Sequence, residues 1–182
     1  MKRLVIARHA ETEENVKKIF QGQSIGGTLT GTGTLQAYYL ADRLKEVDLL
    51  CSGDSSRMVD TALPVRRYHP SVLYIESENL REQSFGDAEG KKYSDCSVLD
   101  SYNAETESEI MNRAKSFLEQ IPSKYDNVVI ITGSGFITAL VANVLNESYV
   151  SASERGVSNN TAVTIFDPFP KLEVYGCTKH LK

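Results

Sequence analysis

The sequence predicts an α/β fold in which a mostly parallel central sheet carries helices on both faces, formed by a single domain spanning residues 1–182. Three observations predict it. Six short aliphatic or β-branched runs punctuate the chain, amphipathic stretches with helical spacing separate several of them, and the charged and glycine-rich positions gather directly after the runs.

The first run, Leu4 to Ala7, is apolar without alternation and stops at Arg8-His9, as a strand buried on both faces does. Leu35 to Val47 follows, with Leu35, Tyr38, Tyr39 or Leu40, and Leu44 close to one helical stripe. Asp48 to Cys51 is a second strand. Met58 to Tyr68 is a second helix, preceded by the capping residues Ser55 and Ser56 and expected to end or kink at Pro64. Val72 to Ile75 is a third strand. Ser84 to Glu105 is polar and irregular, a long surface excursion. Glu107 to Ile121 then places Ile110, Ala114, Phe117 and Ile121 on one stripe. Val128 to Thr132 is a fourth strand, with Gly133-Ser134-Gly135 starting a helix after it. Ala162 to Phe166 and Leu172 to Tyr175 complete the set.

Composition excludes several classes. At 182 residues, with 41% hydrophobic and 24% charged, the chain has enough apolar content for one core. No apolar run approaches the roughly 18 residues of a membrane span, and no signal-like stretch opens the chain, so a cytoplasmic protein is expected. Cys51, Cys96 and Cys177 are odd in number and widely spaced, which favours packing over disulfides or zinc. His9, His69 and His180 have no ligand spacing, so neither a metal nor any other cofactor is expected. The net charge of −4 disfavours nucleic acid and anionic membranes, and an anionic ligand must be held by local arginines.

Such arginines lie after strand ends, where ligands bind in open α/β sheets. Arg8 and His9 follow the first strand, and this position presents His9 rather than burying it. Arg57 falls in the first turn of a helix, where backbone N–H groups also attract anions. Planar guanidinium groups grip phosphate oxygens bidentately and stay charged, so the pair points to a small phosphorylated metabolite.

These segments resemble those of the histidine phosphatase superfamily, the phosphoglycerate-mutase-like proteins. Arg8-His9-Ala10-Glu11-Thr12 with Asn15 resembles R-H-G-E-T-x-x-N. Leu29-Thr30 with Gly33 and Gln36-Ala37 is similar to L-T-x-x-G-x-x-Q-A, and Arg57 with Thr61-Ala62 to R-x-x-x-T-A. Leu80 and Glu82, then Gly86 and Glu89-Gly90, resemble L-x-E-x-x-x-G-x-x-E-G, and Glu105-Thr106 with Arg113 and Ser158-Asn159-Asn160 continue the order. One such piece is weak; the ordered series is specific.

The resemblance implies a phosphoglycerate-mutase-like fold and metal-free phosphoryl transfer. Carried over residue by residue, it makes His9 the nucleophile that becomes a transient phosphohistidine and Glu82 the group that protonates the leaving oxygen. It makes Arg8, Arg57, Asn15 and the backbone at Gln21 and Gly22 the phosphate cradle. Two arginines beside His9 disfavour its protonation and leave a nitrogen lone pair free. Glu11 and Glu89 are expected to orient loops, Arg113 to tie a helix to the site rim, and His69 and His180 to be structural. Lys91, Lys92 and Tyr93 fall in a specificity loop, within reach of a second anionic group such as a carboxylate on the substrate; the preferred reading is that they are solvated.

One departure matters most. The family's V-S-H-G-G-x-I segment reads Ile131-Thr132-Gly133-Ser134-Gly135-Phe136-Ile137 here, so Gly133 stands where the second catalytic histidine is expected. Losing one preorganised donor to developing charge costs about 10²–10³ in turnover, which slows an enzyme of this class without abolishing its activity. Lesser departures are Ala10 for glycine, Ser55 for leucine, and Ser24 to Thr28 without the usual aspartate and proline. The expected function is therefore slowed phosphoryl transfer or hydrolysis on small phosphomonoesters. The alternatives are a weak or inactive phospho-ligand-binding protein and a phosphoglycerate mutase. The physiological substrate and the oligomeric state stay open.

Overall fold

A computed structural model describes residues 1–96 and 102–181. Of the Ser84 to Glu105 excursion, residues 97–101 therefore lie outside the described residues. Six strands form one sheet in the order β3-β2-β4-β1-β5-β6: β1 (Arg3–Arg8), β2 (Leu49–Ser52), β3 (Leu73–Glu76), β4 (Asn127–Thr132), β5 (Val163–Phe166) and β6 (Leu172–Cys177). The first four are mutually parallel, and β5 runs antiparallel to β1 and to β6. All six lie within a residue or two of their expected positions; β1, β2, β4 and β5 are the continuous apolar runs of strands covered on both faces, while the edge strands β3 and β6 are exposed or half-buried.

Successive side chains of these strands point to opposite faces, and each face receives its own helices. Leu4, Ile6, Leu49, Cys51, Val128 and Ile130 pack against α4 (Glu107–Gln120) and α5 (Ser134–Leu145). Val5, Ala7, Leu50, Val129 and Ile131 pack against α2 (Gly31–Arg43) and α3 (Ser56–Tyr68). Two short helices, α1 (Glu13–Val16) and α6 (Tyr149–Ser153), lie beside the carboxyl ends of the strands.

Three expectations need correction. Helix α2 begins at Gly31, where the Thr30 side chain accepts the Gly33 N–H, and it ends at Arg43 rather than Val47. Its buried stripe is Gly33, Ala37, Leu40 and Ala41, while Leu35 is 57% exposed. Small residues beside Leu40 let the helix approach the sheet closely, and Leu35 and Tyr38 face outward. Pro64 does not stop α3, which continues to Tyr68 with Pro64 buried in its interior. The ring removes one backbone hydrogen bond, and packing of Met58, Ala62 and Val65 in the core holds the helix across that gap. Ser55 sits at the cap position, but its side chain makes no cap hydrogen bond. The α4 stripe of Ile110, Ala114 and Phe117 is buried as its spacing implies.

Candidate active site

Strand β1 is the switch point of the sheet: the chain leaves it toward β2 and β3 on one side, and β5 and β6 fill the other. A cleft of about 320 Å³ opens at this carboxyl edge, lined by Arg8, His9, Asn15, Gln21, Gly22, Arg57 and Glu82 among others. The expected site residues are thus brought together, although they come from four separate stretches of chain.

His9 is only 2% exposed, so it forms the floor of the cleft and is buried, contrary to expectation. Three segments pin the backbone at this point. Its N–H donates to the Thr132 carbonyl at 2.9 Å, and its carbonyl accepts from Thr161 N and Asn160 Nδ2. The next N–H, of Ala10, donates to Thr61 Oγ1 at 2.9 Å. The imidazole Nδ1 lies 2.8 Å from the Ala10 carbonyl oxygen. A carbonyl only accepts, so Nδ1 carries the proton, and in the neutral ring Nε2 keeps its lone pair.

The ring is held neutral. Burial, then the Arg57 and Arg8 guanidinium charges, push the His9 pKa well below the usual imidazole range. His180, packed against Arg43, is likewise lowered to about 4. In proton NMR titrations, His9 is expected to remain neutral well below pH 6.5 and His180 to titrate near pH 4; a His9 midpoint at 6.5 would contradict this geometry. The linkage has a definite sign. Below pH 6.5 the unfolded chain binds a proton at position 9 that the folded protein refuses, so stability falls as pH drops through that region.

Arg57 is 0% exposed, and its guanidinium is spent largely on backbone. It donates to the carbonyls of Ile25, Gly26 and Gly22, which fastens the loop before α2. Gly22 adopts φ +55°, and a Cβ there would run into the Glu89 side chain, so glycine is required. Arg8 donates to the Ser158 carbonyl at 2.7 Å. Among the described residues neither arginine has an ion pair within 4 Å, and the Nε of each is buried without a partner. Burial lowers the pKa of both below the ordinary arginine value, while the Glu82 charge opposes that shift. Two desolvated cations facing one cleft favour an incoming anion strongly.

Glu82 is 7% exposed and lies on the cleft wall. Its Oε1 accepts the N–H of Gln83 at 2.8 Å and of Phe136 at 3.1 Å, so the carboxylate caps the start of α5. The cap residue of that helix, Gly133, has no side chain to do so. Glu82 also fills the space that a side chain at 133 would need: a Cβ there would overlap its carboxylate and lie 2.7 Å from its Cβ. Arg113 holds the Glu82 backbone from behind, donating to the carbonyls of Asn79, Arg81 and Glu82 and pairing with Glu105 at 2.7 Å.

The loop-orienting glutamates are where the sequence puts them. Glu11 accepts from the Thr30 hydroxyl, and Glu89 accepts the N–H groups of Gln23, Ser24 and Phe85. His69 is tied to the Leu44 carbonyl and His180 to Arg43, both away from the cleft. Lys91, Lys92 and Tyr93 are all exposed, and Tyr93 also lines the cleft, at its mouth. Asn160 was missed as a positioning group: its Nδ2 bridges the His9 carbonyl and Asn15 Oδ1, which turns the Asn15 amide N–H₂ free to donate. The only signal for it was its place in the Ser158-Asn159-Asn160 segment.

Residues 4–174 match the family model described as the histidine phosphatase superfamily, branch 1. A candidate phosphoserine phosphatase of Hydrogenobacter thermophilus is 35% identical over 161 residues, covering 78% of this chain and 77% of its own length. The fructose-2,6-bisphosphatase TIGAR of Xenopus tropicalis is 28% identical over 184 residues, covering 88% of this chain and 67% of its own. Among solved structures, a phosphoserine phosphatase mutant of Entamoeba histolytica, in complex with phosphoserine, superposes with a TM-score of 0.86 at 20% identity, covering 100% of both chains.

Proposed function

The chain belongs to the histidine phosphatase superfamily, whose members are phosphatases and mutase-like enzymes, and on that premise we propose that it hydrolyses small phosphomonoesters in the cytoplasm through a phosphohistidine at His9. One observation carries the reading. A neutral imidazole, its Nδ1 proton anchored on the Ala10 carbonyl, sits on the cleft floor beside two arginines that lack carboxylate partners. Relatives named for phosphoserine and fructose bisphosphate support a phosphomonoester substrate.

In this reading Arg8 and Arg57, with Asn15 and the backbone at Gln21 and Gly22, hold the phosphoryl oxygens and compensate their charge. Nε2 of His9 attacks phosphorus in line. The reacting state has Glu82 as the carboxylic acid: the ester P–O bond breaks, and the leaving oxygen takes the Glu82 proton and leaves the carboxylate. Water then gives a proton to the Glu82 carboxylate and attacks phosphorus; the P–N bond breaks with its electron pair returning to Nε2, which releases phosphate and restores neutral His9. Gly133 supplies no cationic donor to the equatorial oxygens, so turnover is slower by about 10²–10³ than with an imidazole there.

The test uses the chain with EDTA present throughout. Phosphate release from p-nitrophenyl phosphate is expected to persist at an unchanged rate, and protein quenched during turnover of a ³²P-labelled ester should carry acid-labile, alkali-stable label. Label stable to acid, or activity abolished by EDTA, would overturn the reading. A second reading, a phospho-ligand-binding protein, is favoured by the hydrogen bonds that hold Glu82 to α5. It predicts tight inorganic phosphate binding with no labelled protein. The mutase alternative predicts interconversion of 2- and 3-phosphoglycerate under the same conditions.

A further inference from the structure

From the walls of the cleft we infer the class of alcohol that this protein releases: a neutral, aromatic or otherwise apolar group, in preference to one bearing a carboxylate or a second phosphate. The inference rests on the phosphatase reading above and specifies its substrate.

Above the phosphate-holding floor, three rings from three chain segments form one wall. Phe20 lies 4.8 Å from Phe85 and 4.4 Å from Tyr93 between ring centroids, with the planes tilted by 53° in both pairs. Tyr149 and Val157 line the same cleft. This apolar surface is open to solvent at the mouth: Tyr93 is 42% exposed and Val157 is 78% exposed. Clustered apolar side chains at the mouth of a ligand cleft mark a surface that is covered when the cleft is filled.

Charge is arranged to match. Among the described residues lining the cleft, the cations are Arg8 and Arg57, and both serve the phosphoryl site. The nearby Lys91 does not line it; its ammonium lies 4.6 Å from the centre of the Tyr102 ring. Residues 97–101, Ser-Val-Leu-Asp-Ser, contain no lysine or arginine. A carboxylate or second phosphate entering with the alcohol would therefore lose its hydration against aromatic faces and find no cation to replace it. An aryl group would stack on the Phe20, Phe85 and Tyr93 wall instead.

The experiment compares three esters with alcohols of similar reactivity: 2-phenylethyl phosphate, ethyl phosphate and phosphoserine. For the unmodified protein, kcat/KM is expected to be at least about tenfold higher for 2-phenylethyl phosphate than for phosphoserine, with ethyl phosphate between them. Phe20→Ala should shrink the phenylethyl-to-ethyl ratio several-fold, and Tyr93→Arg should move the preference toward phosphoserine. Equal or reversed preference in the unmodified protein, with ethyl phosphate still hydrolysed, would overturn this inference and leave the phosphatase reading standing. No hydrolysis of any ester would overturn the phosphatase reading. The inference would then be decided by calorimetry with 2-phenylethylphosphonate against 3-phosphonopropionate: tighter binding of the aryl compound upholds it, and equal or weaker binding rejects it.

Discussion

Replacing His9 with alanine is expected to lower phosphomonoester turnover by at least about 10⁴-fold while leaving a protein that still binds inorganic phosphate. The two effects separate because they rest on different atoms. Turnover needs the Nε2 lone pair, which alanine lacks. Binding rests on Arg8 and Arg57, whose anchors on the carbonyls of Ser158, Gly22, Ile25 and Gly26 do not involve the imidazole. Steady-state rates and calorimetric titration with phosphate check both halves. Turnover within about tenfold of the unmodified protein would remove His9 from the nucleophile's role. Loss of phosphate affinity together with turnover would instead mean that the His9 side chain holds the cradle together, through the hydrogen bond from its Nδ1 to the Ala10 carbonyl.

Much of this site was legible because it depends on local order along the chain. A buried parallel strand is a run such as Leu4-Val5-Ile6-Ala7, and the polar residues that end it are those placed at the sheet's ligand-binding edge. His9, Arg57 and Glu82 could therefore be located from their positions after strands, and Glu89 and Arg113 from the motif that holds them. The features that escaped depend on contacts between distant residues. Asn160 bridges to His9 and Asn15 across about 150 positions, and its Ser158-Asn159-Asn160 segment marks the position without revealing that contact. The aromatic wall joins Phe20 to Phe85 and Tyr93, each an ordinary loop residue in sequence. The start of α2 was misplaced because Gly31 to Thr34 lacks large apolar residues, so the pattern began only at Leu35. Gly133 could be read as a missing side chain, but not as a space taken over by Glu82, 51 positions earlier.

That occupancy changes what restoring a histidine at position 133 should do. Glycine there has an ordinary φ of −98°, so a side chain meets no backbone strain. It meets Glu82. Because the overlap reaches the Glu82 Cβ as well as its carboxylate, rotating the carboxylate away does not relieve it, and the cap on Phe136 N–H is lost. Gly133→Ala isolates this cost and is expected to destabilise the protein by about 1–2 kcal/mol, the worth of a helix cap. For a chain of this length that lowers Tm by about 2–8 °C. Gly133→His pays the same steric penalty and adds the donor, so its kcat should exceed that of Gly133→Ala by about 10²–10³. Equal kcat in the two variants would show that an imidazole at 133 contributes nothing to this cleft. Repeating the pair with Glu82→Ala, which removes the carboxyl group from that space, completes a double-mutant cycle. Positions 82 and 133 compete for one space, so their effects on stability should be non-additive by more than about 0.5 kcal/mol, whereas additive effects would mean that Glu82 leaves that space without cost.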